Sequence, residues 1–301
     1  MLWNIIVIAM LFIFLIIIPA YMAYFAVHGK REGLEESWAV QTSRPDTMYL
    51  KDWFRIKYTI KSYDDYELHA ECFPAKNKSK KYIILTHGFT YTRYGGLKYL
   101  SIFLENDYNC IIYDNRGHGE NIKGITTFGI KESKDLISVI NDTYERYGKD
   151  IILGLHGESL GSGIQITSLK YSPNIKFIIN DCGYGSLIEI LKNQLRKNYK
   201  LPGWIAYISS LFCRIFYGFS FTSVKPIKFL DNCNIPICFI HGKNDHLISI
   251  DQSRRMFEIN ESVCEFYVFE AGHAKSFDSD PERYKKILKE FIENTNKKGL
   301  S

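Results

Sequence analysis

The sequence predicts an α/β fold built on a mostly parallel sheet covered by helices on both faces. Three observations carry that prediction. Beyond Lys81, short runs that are apolar throughout recur: "YIILTH", "CIIYDN", "IILGLH", "FIINDC" and "PICFIHG". A strand apolar on both sides belongs in a sheet whose two faces are both covered. Longer stretches of helical period, such as "KESKDLISVINDTYERYG", alternate with these runs. Finally, the chemically interesting polar residues follow the ends of the runs, which in a doubly wound sheet places them together along one rim.

Taken in order, residues 1–28 contain no Asp, Glu, Lys or Arg and are dominated by "IIVIAMLFIFLIII", long enough to cross a bilayer as a transmembrane anchor. A cleaved signal peptide fits less well, because there is no basic leader, the apolar run is too long and no A-x-A site follows. Pro19 is tolerable in a spanning helix whose freed carbonyl is satisfied locally. Lys30 and Arg31 follow the span, so the positive-inside rule predicts a single-pass protein of the cell membrane with its large domain in the cytoplasm. Residues 29–51, with the turn cluster "TSRPDT", read as a linker or packing arm. "FRIKYTI" and "YELHAECF", separated by "KSYDDY", predict an antiparallel hairpin. With the runs that follow, this makes an eight-stranded sheet spread over a core of residues 52–185 and 223–296. The intervening residues 186–222 are too many for one crossover and predict a small helical cap.

Composition narrows the function classes. The chain has 301 residues, 46% of them hydrophobic, which suffices for a large single core. Its net charge of +5 is mild, and no basic run interleaved with aromatics appears, which argues against nucleic acid as a partner. The seven cysteines are odd in number, scattered, and never spaced C-x-x-C. They are expected to be reduced and buried, with neither a disulfide framework nor a zinc site.

The chemistry centres on Gly157-Glu158-Ser159-Leu160-Gly161, which fits G-x-S-x-G, a strained strand-to-helix turn that lifts a serine hydroxyl clear of a parallel sheet. A serine hydroxyl needs a base to take its proton, and the base needs a carboxylate to fix its tautomer. Asp245 and His273 follow in that order, each after a predicted strand.

The motifs "HGF" after the third strand, "YDNRGHGE" after the fourth, "GESLG" after the fifth, and "HGKND" with "AGHA" near the end give the chain from about residue 52 to 295 a clear resemblance. It resembles the α/β-hydrolase-fold serine hydrolases. Within them it is similar to membrane-anchored, small-cap bacterial members of the serine aminopeptidase-like and monoglyceride-lipase-like group. The resemblance implies Ser159 as nucleophile, His273 as general base and acid, and Asp245 as the orienting carboxylate. It also implies an oxyanion hole made by the backbone N–H groups of Phe89 and Leu160, and no metal or organic cofactor.

Other residues have plainer readings. Asp181 also follows a strand and is a rival for the acid of the triad. Asp114, Arg116 and His118 are expected to be structural, an Asp/Arg pair holding loops together. His87 and His156 are expected to hydrogen-bond neighbouring loops. Glu158 either tunes the site's potential or is solvated. The cap aromatics Trp204, Tyr207, Phe212, Phe216, Tyr217, Phe219 and Phe221 either pack the cap or line an acyl pocket, with Lys192, Arg196, Lys197 and Lys200 able to face anionic headgroups. The expected activity is cleavage of small-molecule or lipid carboxylic esters, with thioesters possible, through an acyl-enzyme. The alternatives are a peptidase of aminopeptidase type, with Glu189 receiving the substrate amine, and a non-catalytic binding protein.

Overall fold

The computed structural model describes residues 2–121 and 123–298; Met1, the first residue of the expected anchor, lies outside them. Helices α1 (Leu2–Phe12) and α2 (Ile18–His28) are joined by a π-helical turn (Ile13–Ile17), and the whole of Leu2–His28 is long and apolar enough to cross a membrane. In the wide turn the Ile18 N–H reaches back to the Ile13 carbonyl, just before Pro19, which has no N–H to give. The segment that follows contains a helix, α3 (Leu34–Thr42), whose Trp38 ring lies 4.8 Å from that of Tyr94, so this arm packs on the body.

All eight expected strands are present: β1 (Ile56–Lys61), β2 (Glu67–Phe73), β3 (Lys81–Thr86), β4 (Tyr108–Tyr113), β5 (Ile152–Glu158), β6 (Phe177–Asp181), β7 (Ile237–Gly242) and β8 (Cys264–Phe269). They lie in the order β1-β2-β4-β3-β5-β6-β7-β8. The first two form the antiparallel hairpin, β2 pairs antiparallel with β4, and every later pairing is parallel. This is an α/β-hydrolase fold.

Helices α4 (Leu97–Leu104), α5 (Glu132–Tyr147) and α6 (Leu160–Ser168) return the chain between parallel strands. Between β6 and β7 come α7 (Leu187–Asn198) and α8 (Ile205–Tyr217); α9 (Ile250–Phe257), α10 (Ser276–Ser279) and α11 (Pro281–Lys298) complete the chain. Side-chain alternation along the strands divides the core. Tyr82 and Ile84 of β3 face a cluster with Val139 and Ile140 of α5 and Ile164 of α6, whereas Ile83 and Leu85 face Leu100 and Phe103 of α4 and lie in one cluster with Leu288 and Phe291 of α11. Helix α5 shows why such segments form helices. Leu136, Val139, Ile140 and Thr143 make its buried stripe, and the helix stops at Gly148, whose φ of +100° a side chain would oppose. Each fully buried aliphatic or aromatic side chain contributes roughly 1.5–3 kcal/mol. This two-sided core fixes the strand ends, and so the rim on which the polar groups stand.

Candidate active site

Ser159 follows β5 directly and precedes α6, with φ +54° and ψ −110°, a conformation rare for a side-chain-bearing residue. The glycines around it are required by space. A Cβ on Gly161 would stand 1.9 Å from the Thr86 carbonyl oxygen, and one on Gly157 would stand 2.6 Å from the Ser162 nitrogen. The turn is further held by the Ser159 N–H donating to the Asp181 carbonyl at 2.9 Å, and by the Ser162 hydroxyl donating to the carbonyls of Gly157 at 2.6 Å and Asp181 at 2.9 Å. Local strain is thus over-determined by packing.

The structure brings Ser159, His273 and Asp245 together. His273 Nε2 is 2.9 Å from the Ser159 hydroxyl, and its Nδ1 is 2.7 Å from Asp245 Oδ2. The carboxylate can only accept, so Nδ1 carries the proton and Nε2 is free to accept from the serine. Asp245 is itself anchored. Its Oδ1 accepts the N–H groups of Leu247 at 2.9 Å and Ile248 at 2.8 Å, and its Oδ2 stands 3.2 Å from Nε2 of His241. Burial opposes its charge, but the His241 ring, whose Nε2 also lies 2.9 Å from the Ile248 carbonyl, and the hydrogen bond from His273 outweigh it and hold the carboxyl well below the usual carboxylate range. His241 is a site residue that the sequence reading missed. Its signal was faint: a histidine at the end of β7, four residues before Asp245.

Phe89 lies in the loop after β3, and Leu160 is the first residue of α6. Among the described residues, neither backbone N–H donates to another protein group. The Leu160 N–H is one of the helix-initial donors that have no intrahelical acceptor. The Phe89 loop is held from behind. His87 Nδ1–H donates to the Gly88 carbonyl at 2.7 Å, and its Nε2 accepts the Asn115 N–H at 2.9 Å. Burial keeps the His87 ring neutral by pushing its pKa well down. An imidazole oriented by a carboxylate, a serine hydroxyl and two free backbone donors can together carry out acyl transfer.

Over 221 residues the chain is 33% identical to the uncharacterized protein YqkD of Bacillus subtilis strain 168, covering 71% of this chain and 72% of that protein. The chain belongs to the YqkD family. No family model matches it. Its fold is similar to that of the Pyrococcus furiosus esterase Pf2001, with a TM-score of 0.68 at 23% identity, covering 83% of this chain and 95% of that one. It is also similar to the Pyrococcus horikoshii acylaminoacyl peptidase, with a TM-score of 0.59 at 16% identity; 83% of this chain is covered but only 43% of the peptidase. These likenesses establish the α/β-hydrolase fold.

Several expectations are corrected in this YqkD-family chain. Asp181 makes no contact with His273; its carboxylate receives the hydroxyls of Tyr99 at 3.2 Å and Tyr284 at 3.0 Å. Glu158 is not solvated. It is buried, 2.6 Å from Lys98 Nζ and 2.6 Å from the Tyr99 hydroxyl. Asp114 and Arg116 hold loops, though not each other. Asp114 pairs with Arg93, and Arg116 pairs with Asp135 at 2.6 Å and Asp64 at 2.9 Å. His156 bonds the Tyr284 hydroxyl of α11 at 3.1 Å, not a loop. Glu189 is occupied by Arg255 and by Gln252, the latter at 2.7 Å. The aromatics between β6 and β7 divide: Phe219 and Phe221 are buried on the body, whereas Trp204, Tyr207 and Phe216 are exposed.

Proposed function

We propose that this protein is a serine hydrolase of carboxylic esters, held at a membrane by its N-terminal helix, with its catalytic domain on the cytoplasmic side. The observation that carries the reading is the unbroken hydrogen-bond chain from Ser159 through His273 to Asp245, set beside two unengaged backbone N–H groups at the carboxyl end of the sheet. In this reading Ser159 Oγ attacks the ester carbonyl carbon while His273 Nε2 takes the hydroxyl proton. The carbonyl oxygen gains charge and is received by the N–H groups of Phe89 and Leu160. Collapse breaks the bond to the alkoxy oxygen, which leaves as the alcohol with the proton from His273. Water, deprotonated by the same imidazole, then attacks the acyl-serine; the bond to Ser159 Oγ breaks, the serine takes the proton back from His273, and the acid is released. Asp245, held ionised, stabilises the imidazolium that appears in both halves. Each oxyanion donor is worth about 3 kcal/mol in the transition state.

Esters are favoured over peptides with a free amino terminus because Glu189, the carboxylate that would receive such an amine, is engaged by Arg255 and Gln252. The likeness to an esterase supports the same choice, and the likeness to acylaminoacyl peptidases keeps acyl chemistry in common. The apolar exposed face of α8, with Leu211, Ile215 and Phe216, supports substrates that partition into lipid. Labelling of the detergent-solubilised full chain with a fluorophosphonate tests the reading. Wild type is expected to label, and Ser159→Ala and His273→Ala to remain unlabelled; a folded wild type that does not react would refute it.

A further inference from the structure

The membrane helix reaches the candidate active site. Helix α2 packs on α8 with Pro19, Ala23 and Val27 buried, and the His28 ring meets that of Tyr217 at 5.4 Å. The chain then runs from Gly29 onto the loop that carries Phe89. The Glu32 N–H donates to the Thr90 carbonyl at 2.9 Å. The Arg31 guanidinium lies 4.1 Å above the Phe89 ring. It donates to Thr126 Oγ1 at 2.9 Å, to the Gly29 carbonyl at 2.7 Å, and to the Val27 carbonyl in the last turn of α2 at 3.3 Å.

Among the described residues Arg31 forms no ion pair. Its partners are carbonyls, a hydroxyl and an aromatic face, a set that answers to the planar, forked shape of guanidinium rather than to charge alone. Phe89 is thereby held from several directions: Arg31 over its ring, Phe128 stacked at 5.3 Å between centroids, and His118 against its carbonyl. Gly29 fits because a Cβ there would stand 2.8 Å from the Phe25 carbonyl and 3.5 Å from the Phe89 ring.

We propose that Arg31, on the segment that leaves the membrane helix, is a positioning residue that sets the loop bearing the Phe89 N–H. The helix is then part of the framework of the active site as well as its tether. The inference rests on the esterase reading. A donor must sit within hydrogen-bond distance of the developing oxyanion, and displacement by about 1 Å costs on the order of a hundredfold in rate.

The test uses the full chain in detergent, comparing wild type, Arg31→Ala, Arg31→Lys and Lys30→Ala on a water-soluble p-nitrophenyl ester, with sites counted by fluorophosphonate. Arg31→Ala is expected to lower kcat per labelled site roughly ten- to hundredfold with KM changed less than threefold. Arg31→Lys, which keeps the charge but loses the fork, recovers only a minor part, and Lys30→Ala behaves as wild type. Hydrogen exchange across His87–Tyr91 reads the loop independently of turnover and is expected to quicken in Arg31→Ala. Unchanged kcat per site, or unchanged exchange in that loop, overturns the proposal. If wild type neither labels nor turns over, the esterase reading fails instead, while faster exchange in Arg31→Ala would still establish the clamp.

Discussion

Gly161→Ala puts the assembly of the site to a quantitative test. The added Cβ would lie 1.9 Å from the Thr86 carbonyl oxygen, 2.6 Å from its carbon and 3.1 Å from the His87 carbonyl oxygen, where real Cβ contacts essentially never fall below 3.0 Å. Something must move by more than 1 Å. Strand β3 cannot yield easily, because Thr86 is in register with Tyr113 on one side and Gly157 on the other. The start of α6 must give way, carrying with it Ser159 and the Leu160 N–H. Overpacking of this kind costs about 1–3 kcal/mol of stability. Displacing the reacting groups by about 1 Å lowers kcat/KM on the order of a hundredfold. The assay is hydrolysis of a soluble chromogenic ester normalised to protein remaining folded, alongside denaturant unfolding. Gly96→Ala is the control: its Cβ would meet Leu85 at an ordinary 3.5 Å from a backbone with φ −80°, and it should lose little of either. A folded Gly161→Ala variant within threefold of wild-type activity would show that this close approach does not set the site.

Two further predictions concern the buried charges behind Ser159. Lys98 neutralises Glu158 and also donates to the Ala274 carbonyl at 3.0 Å, next to His273, so Lys98→Met should cost about 3–5 kcal/mol in denaturant unfolding. The double variant Lys98→Met/Glu158→Gln should recover part of that loss, and equal stability of single and double variants would contradict the pairing. Asp181 is pushed up to about 6, first by burial and then by the neighbouring Glu158 carboxylate. Between its ordinary value of 3.8 and about 6, the folded chain holds a proton that the unfolded chain has released. Stability therefore falls as pH rises through this window, by about 3 kcal/mol in all. Asp181→Asn does not ionise, so it should gain stability relative to wild type from pH 4 to 7; parallel unfolding profiles would refute the shift.

What the sequence determined is what depends on local period and chain order. Runs apolar on both faces specified the parallel strands, two β-rich segments flanking a turn specified the opening hairpin, and an apolar stretch without charges specified a helix able to span a membrane. Ser159, Asp245 and His273 were legible because each follows a strand at the sheet's carboxyl edge, and such edges converge whatever lies between them. Tertiary structure alone decided the partners of the buried charges. Asp114 chose Arg93 instead of Arg116, and Glu158 found Lys98, because a buried charge needs a counter-charge at contact distance and its neighbours in space lie far away in sequence. The same holds for Asp181, which the sequence offered as a triad acid and packing assigned to Tyr99 and Tyr284. Arg31 reads in sequence only as a basic residue after an apolar span. Its place over Phe89 exists because the N-terminal helix packs on α8 and delivers it there, a contact between the chain's beginning and its middle that no local pattern encodes.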